Sequence, residues 1–405
     1  MSDSAFPIRL AQRMALLPEY MFEQINIQRQ QLRRAGHDLI DMSMGNPKDP
    51  TPKPIVDKLT EVVHDARNHR YSVAAGIYNL RNELSKYYAA QYDVSVDPDK
   101  EVICTIGSKE GFSHLTLALL GAGERAMVPA PAYPIHSYSV VLAGAEAIPV
   151  RVEDDERLLK EVVRLCEGPQ PRPKVLFLNY PHNPTAKCVE LPFFEEIVAI
   201  ARRYQVIVVH DFAYGRLTYD GYRAPSFLQA KGAKEVGLEF GTMSKSYNMA
   251  GWRIGYALGN REIIGALNRI KGYYDYGIFQ ALQIASIIAI RNGEPFIAEQ
   301  VELYRRRRDL VVSGLQAAGW QVEPPRGGMF LWVKIPDPFA AEGSYAFAMR
   351  LLQEAGVVAS PGIGFGPEGE GYVRMALVEN EKRLRQAVRG IRGAFSIAPP
   401  LRQAL

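Results

Sequence analysis

The segment of this sequence best suited to covalent chemistry contains a lysine that is flanked by hydroxyl groups and followed by an arginine. The segment reads GTMSKSYNMAGWR over residues 241–253 and contains Lys245, with Thr242 and Ser244 before it and Arg253 after it. A lysine amine can form an imine with an aldehyde, while hydroxyls and a guanidinium can neutralise and hydrogen-bond a phosphate. A lone lysine in a polar loop is usually a surface residue. The surrounding pattern therefore favours a site for a covalently held anion.

Two apolar stretches deliver polar residues to strand ends. The stretch 175–178 leads into NYPHNPT at 179–185, and the stretch 206–210 leads into Asp211, with Tyr214 close behind. Ligands gather at the carboxyl ends of strands in open α/β sheets. Taken alone, an Asn-Pro pair is an ordinary turn signal and a strand-end aspartate is often a helix cap, so neither motif is specific by itself.

Two further positions are suited to binding anions. In IGSKEG at 106–111, Gly107 and Ser108 can present backbone N–H groups at a helix N-terminus, where geometry and dipole favour an anion. Arg374 interrupts the apolar strand predicted at 372–376, and a buried arginine needs an anionic partner. An internal salt bridge is the alternative explanation for Arg374.

In this order along the chain, these motifs resemble the class I/II aminotransferases of the fold type I pyridoxal-phosphate enzymes, whose signature is Ser-x-Ser-Lys or a close variant followed by Gly-Trp-Arg. Thr242 replaces the first serine and keeps its hydroxyl, and Ala186 stands where a glycine usually follows Asn-Pro-Thr. The resemblance covers residues 15–395. It implies a homodimer with shared active sites that holds pyridoxal 5'-phosphate as a Schiff base on Lys245.

The resemblance also implies the role of each site residue. Asp211 would pair with the pyridinium nitrogen, so that the ring can accept electrons, and Tyr214 and Asn183 would hydrogen-bond the phenolic oxygen. Lys245 would be the general base. The remaining cofactor-binding residues would be Ser108, Lys109, Tyr133 stacked on the ring, Thr242, Ser244, Arg253 and, from the neighbouring subunit, Tyr71. The substrate would be bound by Arg374 and Asn183, with the backbone of Gly45 close to its α-carboxylate.

Short β-branched runs alternate with longer amphipathic stretches, which predicts an α/β fold with a mostly parallel sheet covered on both faces by helices. The family resemblance implies seven strands in this sheet. We predict an N-terminal arm with part of a small domain at residues 1–49, a large cofactor-binding domain at 50–290, a small α+β domain at 291–395 and a tail at 396–405.

Composition excludes several classes of protein. The 405 residues are 47% hydrophobic and 23% charged, with a formal net charge of only +4, so no nucleic-acid partner is expected. The sequence shows neither a secretory leader nor a long apolar span, and its three scattered cysteines suggest neither disulfides nor a metal site. We therefore expect a cytoplasmic protein without a membrane partner.

The basic run Arg305–Arg308 is predicted to form a solvated or interface helix face.

Within the class, the runs at 244–255, 273–277 and 360–366 look most like those of bacterial glutamate-pyruvate (alanine) aminotransferases, as does the segment Ile40–Pro47. Glutamate with 2-oxoglutarate and alanine with pyruvate are therefore the expected substrates. Aspartate, aromatic amino acids and LL-diaminopimelate remain open. A pyridoxal-phosphate lyase and an aminotransferase-like regulator are the competing functions, although a regulator would need a DNA-binding region before the first motif.

Overall fold

The computed structural model describes residues 8–17 and 21–395. Its strands are β1 (Ile40–Asp41), β2 (Val102–Thr105), β3 (Arg125–Ala130), β4 (Glu146–Arg151), β5 (Pro173–Asn179), β6 (Ile207–Asp211), β7 (Gly237–Thr242), β8 (Gly255–Gly259), β9 (Phe330–Lys334), β10 (Val357–Val358), β11 (Ser360–Pro361) and β12 (Tyr372–Ala376). Its helices are α1 (Met21–Arg34), α2 (Lys53–Val63), α3 (Tyr78–Tyr92), α4 (Gly107–Leu119), α5 (Pro134–Leu142), α6 (Asp155–Glu167), α7 (Leu191–Tyr204), α8 (Ala233–Val236), α9 (Met243–Ser246), α10 (Arg261–Tyr274), α11 (Gln280–Asn292), α12 (Glu294–Gln316), α13 (Gly343–Ala355) and α14 (Glu381–Ala394). The predicted tail at 396–405 lies outside the described residues.

The largest sheet has seven strands in the order β2-β8-β7-β6-β5-β3-β4. Strand β8 runs antiparallel to both of its neighbours, and the other pairs are parallel. The predicted mostly parallel sheet is therefore confirmed. Its central strands are apolar along nearly their whole length because helices cover both faces of the sheet. One apolar core lies under α4, α5 and α10, and another lies under α3, α6 and α7.

A smaller unit is built around the antiparallel sheet β11-β12-β9. Helices α12, α13 and α14 pack against it around a separate apolar core. Strand β1 pairs in parallel with β10, with Ile40 opposite Val357, so the N-terminal segment joins this unit. The boundaries predicted at residues 49, 290 and 395 remain predictions. Across the described ranges, no helix combines the length and the apolar composition that a membrane span requires.

The prediction for the basic run in α12 is wrong for two of its four arginines. Arg307 and Arg308 are only 2% and 3% exposed. Arg307 forms an ion pair with Asp49 at 2.7 Å, and Arg308 forms one with Asp220 at 2.5 Å. A buried guanidinium requires such a carboxylate. These two arginines therefore link α12 to segments far away in the sequence, whereas Arg305 and Arg306 remain at the surface.

Candidate active site

A cavity of about 360 Å³ lies where β5, β6 and β7 end, between the large sheet and the smaller unit. Its volume falls within the range of small-molecule sites. All the predicted site residues except Tyr71 line it. They are Gly45, Ser108, Lys109, Tyr133, Asn183, Asp211, Tyr214, Thr242, Ser244, Lys245, Arg253 and Arg374.

Lys245 lies on the short helix α9, directly after β7. Thr242 begins this helix, because its hydroxyl accepts the backbone N–H of Ser244 at 3.1 Å. The Nζ atom of Lys245 donates to the backbone oxygen of Gly45 at 2.6 Å. Burial, followed by the positive charges of Arg374 and Arg253, lowers the pKa of Lys245 from its ordinary 10.5 to about 8. The amine is therefore available as a nucleophile and a base close to neutral pH.

The start of α4 and the guanidinium of Arg253 form a positively charged part of the cavity. Gly107, the first residue of α4, has φ +73°, and a Cβ there would lie 2.2 Å from Arg253 Nη2. Arg253 itself adopts the left-handed conformation, with a φ of 57°, which is uncommon for a residue other than glycine. A Cβ on Gly255 would lie 2.4 Å from the backbone nitrogen of Ser108. The two glycines thus allow an arginine and a strand to approach a helix N-terminus, which is an arrangement suited to phosphate.

Asp211 provides a buried carboxylate at the end of β6. Its Oδ2 atom lies 3.1 Å from His136 Nε2, and its backbone oxygen accepts from Asn179 Nδ2 at 2.7 Å. Its Oδ1 atom is buried without a hydrogen-bond partner among the described residues. A buried carboxylate oxygen needs a donor. A protonated ring nitrogen would satisfy this requirement.

Asn183 and Arg374 join the large sheet to the smaller unit. Arg374 Nη1 donates to Asn183 Oδ1 at 2.7 Å, and the backbone nitrogen of Asn183 donates to Asn179 Oδ1 at 2.8 Å. The Arg374 guanidinium lies 4.2 Å from the ring centre of Phe330 and 4.6 Å from that of Phe365, within the range of cation–π contacts. The aromatic rings reduce the access of water to the cation, which strengthens its attraction for a carboxylate.

Two tyrosines occupy the cavity wall. Burial raises the pKa of Tyr214, so its phenol stays protonated and can donate a hydrogen bond. The ring of Tyr133 lies 5.9 Å from the ammonium of Lys109. Tyr71 is instead 92% exposed and contacts Tyr276, with ring centres 5.5 Å apart. It therefore lies outside the cavity of its own chain.

Sequence reasoning did not identify His136, Asn179 or the two phenylalanines. His136 is fully buried and is separated from Asp211 by 75 positions in the sequence. Asn179 was visible as the first residue of the NYPHNPT motif, where its position at the end of an apolar strand was a usable signal. Phe330 and Phe365 carry no local signal, because their role depends on the folded position of Arg374.

The cavity thus combines a reactive amine, a phosphate-type anion site and a carboxylate oxygen that lacks a donor. These residues fit a phosphorylated aromatic aldehyde with a protonated ring nitrogen, and pyridoxal 5'-phosphate has this chemistry. Lys245, Arg253 with the start of α4, and Asp211 would contact its aldehyde, its phosphate and its ring nitrogen, respectively.

The chain belongs to the family of class I and II aminotransferases, whose sequence profile matches residues 37–391. It is 50% identical to the glutamate-pyruvate aminotransferase AlaC of Escherichia coli K12, over 96% of this chain and 94% of that protein. It is 41% identical to the LL-diaminopimelate aminotransferase of Moorella thermoacetica, over 94% of this chain and 97% of that protein. The solved structure of substrate-bound BacF from Bacillus subtilis superposes with a TM-score of 0.87 at 32% identity, covering 95% of this chain and 98% of that chain.

The predicted fold class, family and enzyme class are confirmed. The protein is an aminotransferase, in a family that depends on pyridoxal phosphate and acts on amino acids and keto acids.

Proposed function

We propose that this aminotransferase binds pyridoxal 5'-phosphate on Lys245 and exchanges an amino group between the glutamate/2-oxoglutarate and alanine/pyruvate pairs. The observation that carries the cofactor assignment is that one cavity brings together the amine of Lys245, the guanidinium of Arg253 and a buried Asp211 oxygen that lacks a donor among the described residues. The substrate assignment is supported by the 50% identity to a glutamate-pyruvate aminotransferase.

When bound, the cofactor supplies an electron sink for the charge left on the substrate Cα. The protein moves and holds the protons. Once the substrate nitrogen has replaced it on the aldehyde carbon, the neutral amine of Lys245 would remove the Cα proton and return it to that aldehyde carbon, as a general base and then a general acid. Asp211 would keep a proton on the ring nitrogen, because a carboxylate favours the cationic ring. The phenol of Tyr214 and the amide of Asn183 would hydrogen-bond the ring oxygen.

Arg374 is proposed to bind the α-carboxylate of both substrates. A guanidinium can hold a carboxylate with two parallel hydrogen bonds, which also fixes the orientation of Cα. The amino acid and the keto acid share this carboxylate and would use the same site in turn. Ping-pong kinetics are the expected result.

The proposed homodimer is supported by four exposed tyrosines, Tyr71, Tyr273, Tyr274 and Tyr276, of which Tyr71 and Tyr276 are in ring contact. Their exposed fractions are 92%, 89%, 64% and 61%. Clustered exposed apolar surface of this kind marks interaction sites. By the family resemblance, Tyr71 of the partner subunit would reach the cofactor phosphate.

The absorption spectrum of the purified protein tests this function. The yellow band of the bound cofactor should disappear when L-glutamate or L-alanine is added and return with pyruvate or 2-oxoglutarate. Faster bleaching by L-aspartate, an aromatic amino acid or LL-diaminopimelate would replace the substrate assignment. A protein that stays colourless after incubation with pyridoxal phosphate would overturn the cofactor assignment. Release of ammonia and pyruvate from one amino acid without a keto acid would indicate a lyase.

A further inference from the structure

Arg374 contacts the backbone of Ser43, at the turn after β1. Arg374 Nη2 donates to the backbone oxygen of Ser43 at 2.7 Å. The hydroxyl of Ser360 donates to the same oxygen at 2.7 Å and lies 3.5 Å from Arg374 Nη2. One carbonyl group thus contacts both the guanidinium and the neighbouring strand β11.

Asp41 stabilises the backbone turn at Ser43. Asp41 Oδ1 accepts from the backbone nitrogen of Ser43 at 3.1 Å and from its hydroxyl at 2.6 Å. The sheet contacts of this segment end one residue earlier, where Met42 donates to Val358 at 2.9 Å and accepts from Ala376. Because those backbone contacts stop at Met42, the direction of the Ser43 carbonyl is set by the two bonds that Ser43 donates to Asp41, together with the hydroxyl of Ser360.

Asp41 is itself paired with helix α1. Its second oxygen, Oδ2, forms an ion pair with Arg29 Nη1. Asp41 is only 8% exposed, and an isolated carboxylate at that depth would be costly. The pairing with Arg29 offsets this cost and leaves Oδ1 for Ser43. A continuous chain of polar contacts therefore runs from α1 through Asp41 and Ser43 to Arg374.

We infer that Asp41 is a positioning residue for the substrate carboxylate, acting on Arg374 through Ser43, and that Arg29 holds Asp41 in this role. The inference rests on the proposed function, in which Arg374 binds the α-carboxylate. It names residues that do not line the cavity. The chain of contacts affects how well Arg374 is aimed at the carboxylate, and it contains no bond to the amine of Lys245, which contacts Gly45 instead. Its loss should weaken the binding of the amino acid and the keto acid to the same extent.

The test uses the cofactor-loaded protein with Arg29→Gln, Asp41→Asn and Ser43→Ala. Each variant should raise KM for both L-glutamate and 2-oxoglutarate by about three- to tenfold, the size of one lost hydrogen bond, with kcat changed less than about twofold. Arg34→Gln is the matched control, because Arg34 is exposed near the end of the same helix. It should leave both KM values unchanged.

Two measurements separate a positioning role from a general loss of structure. Binding of propionate, which has a carboxylate but no amine, should weaken by the same factor as KM. The rate at which the cofactor-free variants form the yellow band with pyridoxal phosphate, which involves no substrate carboxylate, should stay at the wild-type value. The double variant Arg29→Gln/Asp41→Asn should raise KM no more than the single variant with the larger effect, because both residues act through one chain of contacts.

Unchanged KM and propionate binding in Arg29→Gln, Asp41→Asn and Ser43→Ala would overturn the inference, as would an equal loss in the rate of the reaction with pyridoxal phosphate. If Asp41→Asn does not fold, Arg29→Gln and Ser43→Ala still decide the question. The Arg374→Lys variant distinguishes a failure of this inference from a failure of the proposed function. If Arg374→Lys weakens propionate binding while the other variants do not, only the positioning role falls. If Arg374→Lys has no effect on propionate, the carboxylate role of Arg374 itself is wrong.

Discussion

The ε-amine of Lys245 donates to the backbone oxygen of Gly45, with 2.6 Å between the two atoms. This bond joins the end of β7 to the N-terminal segment that also contains Ser43. A Cβ on Gly45 would lie 2.5 Å from the ring of Phe330, so the close approach of this backbone requires glycine. Among the described residues, no carboxylate lies within ion-pair distance of Lys245. A neutral carbonyl stabilises the ammonium less than a carboxylate would, which agrees with the lowered pKa of this amine.

The reaction of the cofactor-free protein with pyridoxal phosphate should depend on pH in a defined way. The pKa of Lys245 is lowered to about 8, and only the neutral amine attacks an aldehyde. The rate at which the yellow band appears should therefore rise as the pH increases through about 8 and then level off. A rate that keeps rising up to the ordinary lysine pKa of 10.5 would show that the amine is not perturbed.

The Lys245→Ala variant should fold and still bind pyridoxal phosphate, because Asp211, Arg253 and the start of α4 remain. It should lack the covalent bond and lose transamination by a factor of at least about a hundred, since a positioned general base contributes that much. Mass spectrometry after borohydride reduction would measure the covalent bond, and a coupled keto-acid assay would measure turnover. Wild-type turnover in this variant would rule out Lys245 as the base.

Gly107→Ala should weaken cofactor binding. The new Cβ would fall 2.2 Å from Arg253 Nη2 at a residue with φ +73°, so both the guanidinium and the helix start must shift. The Kd for pyridoxal phosphate should rise by about tenfold or more, since a displaced charged hydrogen bond costs about 1.5–3 kcal/mol. Gly265→Ala on α10 is the control, because a Cβ there meets nothing within 4 Å. Equal Kd values for the two variants would contradict the assigned phosphate site.

Tyr71→Phe tests the shared active site. The hydroxyl of Tyr71 is exposed in its own chain, so its loss should matter only if a second chain uses it. We expect a rise of about three- to tenfold in the Kd for pyridoxal phosphate, as for one lost hydrogen bond, with the oligomeric state unchanged. Tyr78→Phe, at a 49% exposed tyrosine that is not part of the proposed dimer surface, serves as the control. Sedimentation analysis would measure association, and a purely monomeric wild-type protein would disprove the shared site.

Glu239→Gln should reduce stability without touching the cavity. Each oxygen of this fully buried carboxylate accepts two bonds, Oε1 from Tyr88 and Ser226 and Oε2 from His210 and the backbone of Phe227. In the glutamine variant, the side-chain NH2 group would replace one oxygen and face two of these four donors. Unfolding in urea should show a loss of about 2–4 kcal/mol.

The control for this prediction is Glu235→Gln, which removes a charge from an exposed ion pair with Arg202. Such pairs contribute at most about 1 kcal/mol. A loss in Glu239→Gln no larger than that in Glu235→Gln would mean that the buried carboxylate is not held by its four donors.

Much of the site was predictable because its residues occur at the ends of strands and helices, which have local sequence signals. Lys245 and Asp211 both follow an apolar strand, and Ser108 lies at the first turn of a helix. His136 and Ser43 could not be found in this way. Their importance arises from contacts with residues distant in the sequence, Asp211 and Arg374, and only folding brings them together.

The same distinction explains the error in the basic run of α12. Four consecutive arginines suggest a solvated surface, and two of them are at the surface. Arg307 and Arg308 are buried because their carboxylate partners, Asp49 and Asp220, come from segments that the helix pattern cannot reveal.

The pairing of β1 with β10 has a consequence for how the chain reaches its native state. Ile40 lies opposite Val357, and the backbone of Met42 bonds to Ala376 in β12. Contacts between such distant positions carry a large loop-closure cost and form slowly. During synthesis, the N-terminal segment must wait until almost the whole chain has left the ribosome. A separately expressed fragment of residues 291–395 would lack β1, leave the edge of β10 unpaired and be prone to aggregate.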